Sequence, residues 1–302
     1  MKQYTRDQLW QVLDQLAPLN LAGTWDNVGV LLESIPPKNI NQLKDEKILL
    51  TIDLTESVFQ EALAQQCTVI ITYHPIIFGG LKRLTLANSQ SRTLLRAAQA
   101  GIAIYSPHTA LDAVHGGVCD WLSSCALLPD HSLKDQTSIF KMQVASLCKD
   151  YAPIEPDPID PEQGSGRICT LKENSSLEQV CQSLNLNLNQ GLSVQQSKIY
   201  LRVATPHNYC VTDKIIKTIA LCPGAGGSLF KSLSQVDLLV TGEMSHHDIL
   251  AYVEKGTAVI LTEHTRCERG FLKYFKERLS QALSVTVVLA QSDDDPMYLY
   301  QS

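Results

Sequence analysis

One pattern occurs twice in the chain and limits its folds more than any other feature. The first copy is G-I-A-I-Y-S-P-H-T-A-L-D at residues 101–112, and the second is G-T-A-V-I-L-T-E-H-T-R-C-E at residues 256–268. Each copy has a glycine, a short apolar run, a hydroxyl residue, one further residue, the pair His-Thr, and an acid four residues after the histidine. A repeat at this separation predicts two related halves that contribute to a shared cleft.

The second copy predicts a strand that leads directly into two metal-ligand residue types. Residues 258–261 form an apolar run typical of a strand covered on both faces, and the apolar residues from Phe271 onward have helical spacing. His264 and Glu268 are four residues apart, so the first turn of that helix would place them on one face. Such a pair is half of a metal site, and the alternative is an ordinary surface pair.

The first half of the chain alternates short apolar strands with amphipathic helices. We predict strands at 48–52, 68–72 and 102–105 and helices at 56–65, 92–100 and 118–125. This alternation indicates βαβ units and a parallel sheet, whose ligands lie beyond the carboxyl ends of the strands. Those ends carry Asp53, Tyr73, His74, His108 and Asp112. One edge of the first half therefore collects ionisable side chains.

The second half repeats the alternation. We predict strands at 167–171, 199–204, 218–222, 236–241, 258–261 and 285–289, and helices at 176–184, 229–233 and 246–254. The strand at 236–241 continues into T-G-E-M-S-H-H-D, which places Glu243, His246 and His247 near the same edge. Adjacent histidines on a helix point in different directions, so at most one of that pair would face the cleft.

Three connecting segments have a distinctive composition. C-P-G-A-G-G-S at 222–228 suits either a phosphate loop or close packing of a helix on the sheet, because it matches neither common nucleotide signature. We interpret T-W-D-N-V-G at 24–29 as a turn with a tryptophan anchor. Residues 150–166 interleave four prolines with acids and predict an exposed connection without packing of its own, whose acids are solvating.

Length and charge restrict the class of protein. A chain of 302 residues, 44% hydrophobic and 19% charged, suits a globular protein of one large or two medium domains. We expect an α/β half at 1–140, with some C-terminal segments packing on it, a connection at 141–166 and a second α/β half at 167–302. The net charge of −6 and the absence of a Lys and Arg run argue against direct nucleic-acid binding.

Cysteine usage and hydropathy predict the compartment. The nine cysteines have no C-x-x-C spacing, which indicates thiols in a reducing environment rather than a disulfide framework. The first residues lack an apolar signal region, and no window reaches about 18 uninterrupted apolar residues. We therefore expect a cytoplasmic protein with a share in the nucleus and no membrane association.

Four motifs together resemble one known family. They are I-T-Y-H-P-I-I-F at 71–78, S-P-H-T-A-L-D-A at 106–113, T-G-E-M-S-H-H-D at 241–248 and E-H-T-R-C-E-R-G at 263–270. With T-W-D-N-V-G, C-P-G-A-G-G-S and S-D-D-D-P at 292–296, they cover nearly the whole chain in the order of the Nif-three-like family, also called GTP cyclohydrolase I type 2 homologues. The resemblance implies two α/β halves with parallel or mixed sheets, a dinuclear metal cleft between them and a homo-hexamer.

The resemblance also implies the ligands of two divalent ions. They correspond to His74, Asp112, His264 and Glu268, with the acids able to bridge both ions. The site of His and carboxylates suits Zn, Mn, Fe or Co. This sequence departs from many bacterial members at Tyr73, where they have a histidine. A phenol of pKa about 10 is a poorer ligand at neutral pH than an imidazole, so one ion would bind more weakly or take a water there.

Other residues of the same cleft follow from the resemblance. His108, Glu243 and His247 resemble positions that line it, with supporting or proton-transfer roles. Two function classes remain open. One is a metal-dependent hydrolase of a phosphoester, nucleotide or purine-like ring, with Glu243 or His108 as the base. The other is a non-catalytic metal-binding adaptor that interacts with transcriptional regulators.

Overall fold

The computed structural model describes residues 5–129, 137–190 and 200–297, and they form the following elements. The helices are α1 (Asp7–Leu16), α2 (Glu56–Ala64), α3 (Ser89–Ala100), α4 (His108–Ala113), α5 (Val118–Leu127), α6 (Thr137–Leu147), α7 (Leu177–Asn189), α8 (His246–Glu254), α9 (Arg266–Arg269) and α10 (Leu272–Leu283). The strands are β1 (Gly29–Leu32), β2 (Lys47–Thr51), β3 (Val69–Thr72), β4 (Ala103–Ser106), β5 (Cys148–Ala152), β6 (Glu155–Pro156), β7 (Gly164–Ser165), β8 (Arg167–Ser176), β9 (Arg202–Ala204), β10 (Ile215–Cys222), β11 (Leu238–Thr241), β12 (Ala258–Leu261) and β13 (Thr286–Leu289).

The chain divides into two compact units. Unit 1 comprises Met1–Leu111 and Leu272–Asp294, and unit 2 comprises Asp112–Phe271 and Asp295–Ser302. Each unit has its own mixed sheet, as the alternation of apolar strands and helices predicts. The expected α/β class with two α/β halves is confirmed. Within the described part of the chain, no helix is both long and apolar enough to cross a bilayer.

The sheet of unit 1 has the strand order β1-β4-β3-β2-β13 in the described residues. β2, β3, β4 and β13 run parallel to their neighbours, and only the edge strand β1 is antiparallel. β2, β3 and β4 are apolar runs buried on both faces, which is the pattern of a covered parallel sheet. Phe59 of α2 and Leu94 of α3 pack in the core against Leu49, Ile70 and Ile104 of these strands.

The sheet of unit 2 has the order β5-β8-β10-β11-β12-β9. Its centre is parallel, because β10, β11 and β12 run side by side, whereas β8, β5 and β9 are antiparallel to their neighbours. β11 and β12 are buried along their whole length. Phe230, Leu239 and Val259 form the centre of the core here.

The glycine that opens each copy of the repeated pattern has a structural cause. Gly101 caps α3 with φ 74°, and its N–H bonds to carbonyls of the last turn. Gly256 follows α8 with φ 88°. Only glycine adopts this left-handed conformation without steric cost, so in both copies it ends a helix and starts the buried strand.

The structure corrects three predictions of local structure. Residues 150–166 are no bare connection: β5 pairs with β8, and β6 and β7 form a two-stranded ladder of their own. Polar and proline-rich composition hid this pairing, because strand pairing depends on partners distant in sequence. The helix predicted at 229–233 is a short 3-10 turn, Leu229–Ser232. The strand predicted at 199–204 is present as β9, which begins at Arg202, and residue 199 lies outside the described residues.

Candidate metal centre

In unit 1, the predicted ionisable side chains follow the carboxyl ends of β2 and β3. The strand ladder continues beyond these ends, because His74 donates its backbone N–H to the carbonyl of Ile52 over 3.0 Å. The Thr72 hydroxyl donates to the carbonyls of Ile52 and His74. Ile52 in turn donates its N–H to the buried carboxylate of Asp293, over 2.6 Å. The backbone that carries Asp53 and His74 is therefore held on both sides.

The imidazole of His74 is oriented by a carboxylate. Its Nδ1 lies 2.9 Å from Oδ1 of Asp53, and its side chain is largely buried. A neutral imidazole that donates from Nδ1 to a carboxylate presents the lone pair of Nε2 to a ligand. This carboxylate–histidine pairing is the usual support of a metal-binding histidine.

His108 has the same support. Its Nδ1 lies 2.7 Å from Oδ1 of Asp26, whose side chain has no exposed surface. Asp26 also accepts hydrogen bonds from the N–H and the hydroxyl of Thr109. Burial alone would raise the pKa of Asp26, but the hydrogen bonds from His108 and Thr109 outweigh it and lower that pKa below its usual value. Asp26 is therefore a fixed anion beside the ring of His108.

Tyr73 is buried beside the two imidazoles of His74 and His108. Its ring centroid lies 5.1 Å from that of His74 and 5.6 Å from that of His108. Its main-chain carbonyl accepts a hydrogen bond from the hydroxyl of Ser106. The ring therefore packs at the predicted edge, and a ligand role for its phenol remains a prediction.

In unit 2, three loops at the carboxyl ends of β10, β11 and β12 are joined by hydrogen bonds. The carbonyl of Gly224 accepts from the N–H of Glu243 at 3.0 Å and from the hydroxyl of Thr241 at 3.1 Å. The same hydroxyl accepts from the N–H of Gly226, and Thr262 donates its N–H to the carbonyl of Thr241. These bonds hold the glycine-rich turn against the loop that bears His264.

His264 and Glu268 lie together, as their spacing predicts. Nδ1 of His264 lies 3.0 Å from Oε1 of Glu243, and Nε2 lies 3.8 Å from Oε1 of Glu268, a buried carboxylate. The second separation is too long for a hydrogen bond. It is shorter than twice a metal–ligand distance of about 2.1 Å, so one ion can reach both atoms. His264 itself stands in the turn before α9, two residues earlier than the helix begins.

The turn at 222–228 leaves space beside the donor atoms of His264 and Glu268. Gly224 has φ +57°, and a Cβ added there would lie 2.7 Å from Oε1 of Glu268 and 3.2 Å from Nε2 of His264. The glycine thus leaves room beside the very two donor atoms that a metal would need. The residues present fit a divalent ion, and the choice between a phosphate loop and helix packing at 222–228 stays a prediction.

Asp112 lies on α4, at the start of unit 2, near two buried thiols that also neighbour Glu268. Burial raises the pKa of the Cys267 thiol above its usual range, and the charges of Glu268 and Asp112 raise it further. The pKa of Cys222 is raised for the same reasons. Sγ of Cys267 accepts from the N–H of Gly224 and donates to the carbonyl of His264, so this thiol supports the backbone of the loop.

Each copy of the repeated pattern contains a non-glycine residue in a rare backbone conformation. His108 has φ 31° and Glu263, directly before His264, has φ 68°. Such conformations cost about 1–3 kcal/mol each and persist where the surrounding structure enforces them. In unit 2, part of that enforcement comes from the hydroxyl of Thr265, which donates to Asp295 over 2.8 Å.

The remaining predicted residues are placed as follows. Glu243 is exposed and reaches His264, as described above. His247 is an exposed side chain on α8 whose ring lies 5.5 Å from that of His246. The interpretation of Trp25 as an anchor is wrong, because the residue is 65% exposed.

Sequence reasoning missed two acids that support the site, namely Asp26, which pairs with Nδ1 of His108, and Asp293, which accepts from the N–H of Ile52. Asp26 and Asp293 were visible only as members of the motifs T-W-D-N-V-G and S-D-D-D-P. Asp26 is 82 positions from His108, and Asp293 is 241 positions from Ile52. Local spacing carries no information about pairs so distant, and an acid inside a recurring motif was the only available signal.

Comparison with known proteins agrees with the motifs. The chain matches the family model described as Duf34/NIF3 (NGG1p interacting factor 3) over residues 4–296. It is 36% identical over 297 residues to the protein NIF3 homolog of Schizosaccharomyces pombe, with 96% of each chain covered. It is 35% identical over 297 residues to NGG1-interacting factor 3 of Saccharomyces cerevisiae, again with 96% of each chain covered.

A solved structure has the same fold. The chain resembles a Bacillus cereus protein related to NIF3 with a TM-score of 0.73 and 18% sequence identity, covering 99% of this chain and 100% of that one. At this identity the likeness concerns the fold alone.

Proposed function

The chain belongs to the DUF34/NIF3 family, and we propose that it is a metal-dependent hydrolase that binds two divalent ions. The proposed ligands are His74, Asp112, His264 and Glu268. The proposed substrates are phosphoesters, nucleotides or purine-like rings. Two of the ligands, His264 and Glu268, have donor atoms 3.8 Å apart in unit 2, close enough for one ion to reach both.

The observation that carries the proposal is the orientation of the histidines. His74 and His264 each have Nδ1 within about 3 Å of a carboxylate, 2.9 Å for Asp53 and 3.0 Å for Glu243. Metal-binding histidines use this arrangement to fix the tautomer and raise their basicity. In this assignment Glu243 is a positioning residue for His264, and its role as a base stays a prediction.

The donor types restrict the metal. Imidazole nitrogens and carboxylate oxygens suit Zn, Mn, Fe or Co, and a carboxylate has two oxygens with which it can bridge a pair of ions. The thiol of Cys267 is engaged with the backbone, because Sγ accepts from the N–H of Gly224 and donates to the carbonyl of His264. Cys267 is therefore left out of the proposed ligand set.

A divalent ion would supply Lewis acidity for hydrolysis, polarising a phosphoryl or carbonyl oxygen of the substrate. The chain supplies the proton transfer. His108 is the proposed group, since Asp26 holds its Nδ1 and leaves Nε2 to exchange a proton with the substrate. The buried Asp26 also stabilises the imidazolium that forms when Nε2 accepts a proton.

A second candidate function is favoured by one finding. The yeast relative, 35% identical over nearly the whole chain, is named for its interaction with NGG1. By analogy, this chain would act as an adaptor for a transcriptional regulator and would use its metals structurally. Under both candidates we propose a cytoplasmic homo-hexamer with a share in the nucleus, and light scattering at micromolar concentration tests the assembly.

Elemental analysis of purified protein tests the metal proposal. We expect His264→Ala to lose bound metal. His207→Ala is the matched control, because His207 forms a similar histidine–carboxylate pair with Glu254 over 3.5 Å on the surface. Equal metal content in the two variants would contradict the assignment.

A hydrolysis screen separates the two functions. Wild-type protein loaded with each candidate metal is assayed against phosphoesters, nucleotides and purine rings, with His108→Ala alongside. Turnover that His108→Ala reduces supports the enzyme. Retained metal without turnover of any substrate supports the adaptor.

A further inference from the structure

Two large aromatic side chains are exposed beside His108. Trp25 is 65% exposed and Phe78 is 55% exposed. Their ring centroids lie 6.0 Å apart with an angle of 69° between the planes, and those of Trp25 and Phe78 lie 6.3 and 6.2 Å from that of His108. Exposed aromatic surface is costly in water, so a pair of such rings at a site of ionisable residues requires a cause.

The indole is held in place by its own segment. A Cβ on Gly23 would lie 2.8 Å from Cε2 and Nε1 of Trp25, so the indole packs closely against a residue that has no side chain. The N–H of Gly23 donates to the hydroxyl of Thr109, over 3.0 Å, at the start of α4. The exposed ring is therefore fixed relative to His108 rather than free to rotate.

The segment of Phe78 is joined to the segment of Trp25. The amide of Asn27 donates to the carbonyl of Ile77, directly before Phe78. Asp26, between Trp25 and Asn27, holds His108. One short stretch thus positions the indole, the imidazole and the neighbouring phenyl ring together.

We propose that Trp25 and Phe78 form an aromatic corner that binds the flat ring of a heterocyclic substrate beside His108. The proposal rests on the proposed hydrolase function, since it assigns the part of the chain that holds the unreactive ring of the substrate. The two rings are not parallel, so a flat ligand stacks on one and meets the other edge to face. Both arrangements are favourable for aromatic rings at centroid separations of about 4.5–7 Å.

The chemistry of the corner selects the ligand class. Stacking on a tryptophan favours any flat π-system, and heterocycles with ring nitrogens add hydrogen-bonding atoms that His108 can reach. A simple phosphate would gain nothing from either ring, and a sugar, which has no π-system, would gain less than a flat heterocycle. The corner therefore selects for nucleobase-like substrates over ring-free phosphoesters.

Calorimetric titration of metal-free protein tests the corner directly. The probes are adenosine, guanosine, cytidine and uridine, with ribose as the control that lacks an aromatic ring. We expect saturable binding of at least one nucleoside and none of ribose. Trp25→Ala and Phe78→Ala should each weaken nucleoside binding about 5- to 150-fold, the effect of losing one stacking partner.

Two further variants distinguish stacking from general disturbance. Tyr209→Ala removes an aromatic ring that is 50% exposed in unit 2 and should leave nucleoside binding unchanged. Gly23→Ala keeps Trp25 but displaces its indole, so it should weaken binding as well. Absence of nucleoside binding, equal binding of ribose, or an unchanged Kd in Trp25→Ala would overturn the proposal. A change of oligomeric mass in Trp25→Ala without a change in Kd would also overturn it, assigning the rings to a contact between copies.

The metal proposal and the proposal of the aromatic corner can be refuted independently of each other. Nucleoside titration uses protein stripped of metal, so it does not depend on the proposed ligands. Elemental analysis of Trp25→Ala should show wild-type metal content, because neither ring offers a ligand atom. Lost metal in that variant would contradict the separate roles.

Discussion

The two copies of the repeated pattern hold their histidines in the same way but with different surroundings. In unit 1, His108 donates from Nδ1 to Asp26, an acid with no exposed side-chain surface. In unit 2, His264 pairs with Glu243, an acid whose side chain is 56% exposed. The shared feature is a carboxylate at Nδ1, and the difference is whether water also reaches that carboxylate.

This difference implies different tasks. A buried acid fixes its histidine with strong, poorly screened electrostatics, which suits a group that accepts and returns a proton. An exposed acid orients its histidine while leaving charge compensation to a neighbour, here the buried Glu268. His108 in the first copy is therefore suited to proton transfer, and His264 in the second copy is suited to holding a cation.

The largest effect should come from Glu268→Ala. Its carboxylate is the proposed bridge between two cations that repel each other at about 3.5–4 Å, so its loss should release both ions. His74→Ala and His264→Ala should each release mainly one. Elemental analysis of the folded variants gives the answer, and two ions retained in Glu268→Ala would refute the bridge. Asp112→Ala, the equivalent change in the first copy, shows whether both acids bridge.

Gly224→Ala should weaken metal binding by about 100-fold, comparable to the loss of a strong supporting contact. The new methyl group would crowd Oε1 of Glu268 and Nε2 of His264, and φ +57° adds backbone strain. Gly227→Ala is the matched control, because its added Cβ would make only an ordinary contact 3.7 Å from Met244. Competition with a metal-sensitive dye measures both variants. Similar affinities would show that the space beside Gly224 is not used.

Removing Asp26 and removing Glu243 should have opposite consequences for stability and for metal binding. Asp26→Ala should lower the free energy of unfolding by about 1.5–3 kcal/mol, since it breaks charged hydrogen bonds to His108 and Thr109, with little change in metal content. Glu243→Ala should leave stability nearly unchanged and weaken metal binding about 10- to 100-fold. Urea unfolding measures the stability of both variants, and competition with a metal-sensitive dye measures their metal affinity. The same loss of stability in both would break the comparison.

The smallest expected effect is a loss of stability at low pH. The pKa of Asp26 is lowered, so its contribution to stability is present above its ordinary value near pH 3.8 and is lost as the pH falls through the folded-state pKa. The stability difference between wild type and Asp26→Asn should therefore be full at pH 6 and shrink below about pH 4. Urea unfolding at a series of pH values measures it. A difference that stays constant down to pH 2 would show that Asp26 is not stabilised as an anion.

The positions of most helices and strands follow from local sequence signals. β2, β3, β4, β11 and β12 lie within one or two residues of their predicted bounds, because a buried parallel strand is a short apolar run between polar turns. The capping box of α7 is also local, with Ser176 and Gln179 bonding each other's backbone. Such signals need no knowledge of distant neighbours.

The sequence by itself determined the α/β class, the repeat and the His-x-x-x-Glu spacing that joins His264 to Glu268. Only the tertiary structure decided that β13 pairs with β2 in unit 1, that β5 joins the sheet of unit 2, and that Asp26, Asp53 and Glu243 select their histidines. Periodicity and caps depend on residues a few positions apart, whereas strand order and side-chain pairing depend on chain segments that only folding brings together. For the same reason, the exposure of Trp25 beside His108 could not be read from the motif that contains it.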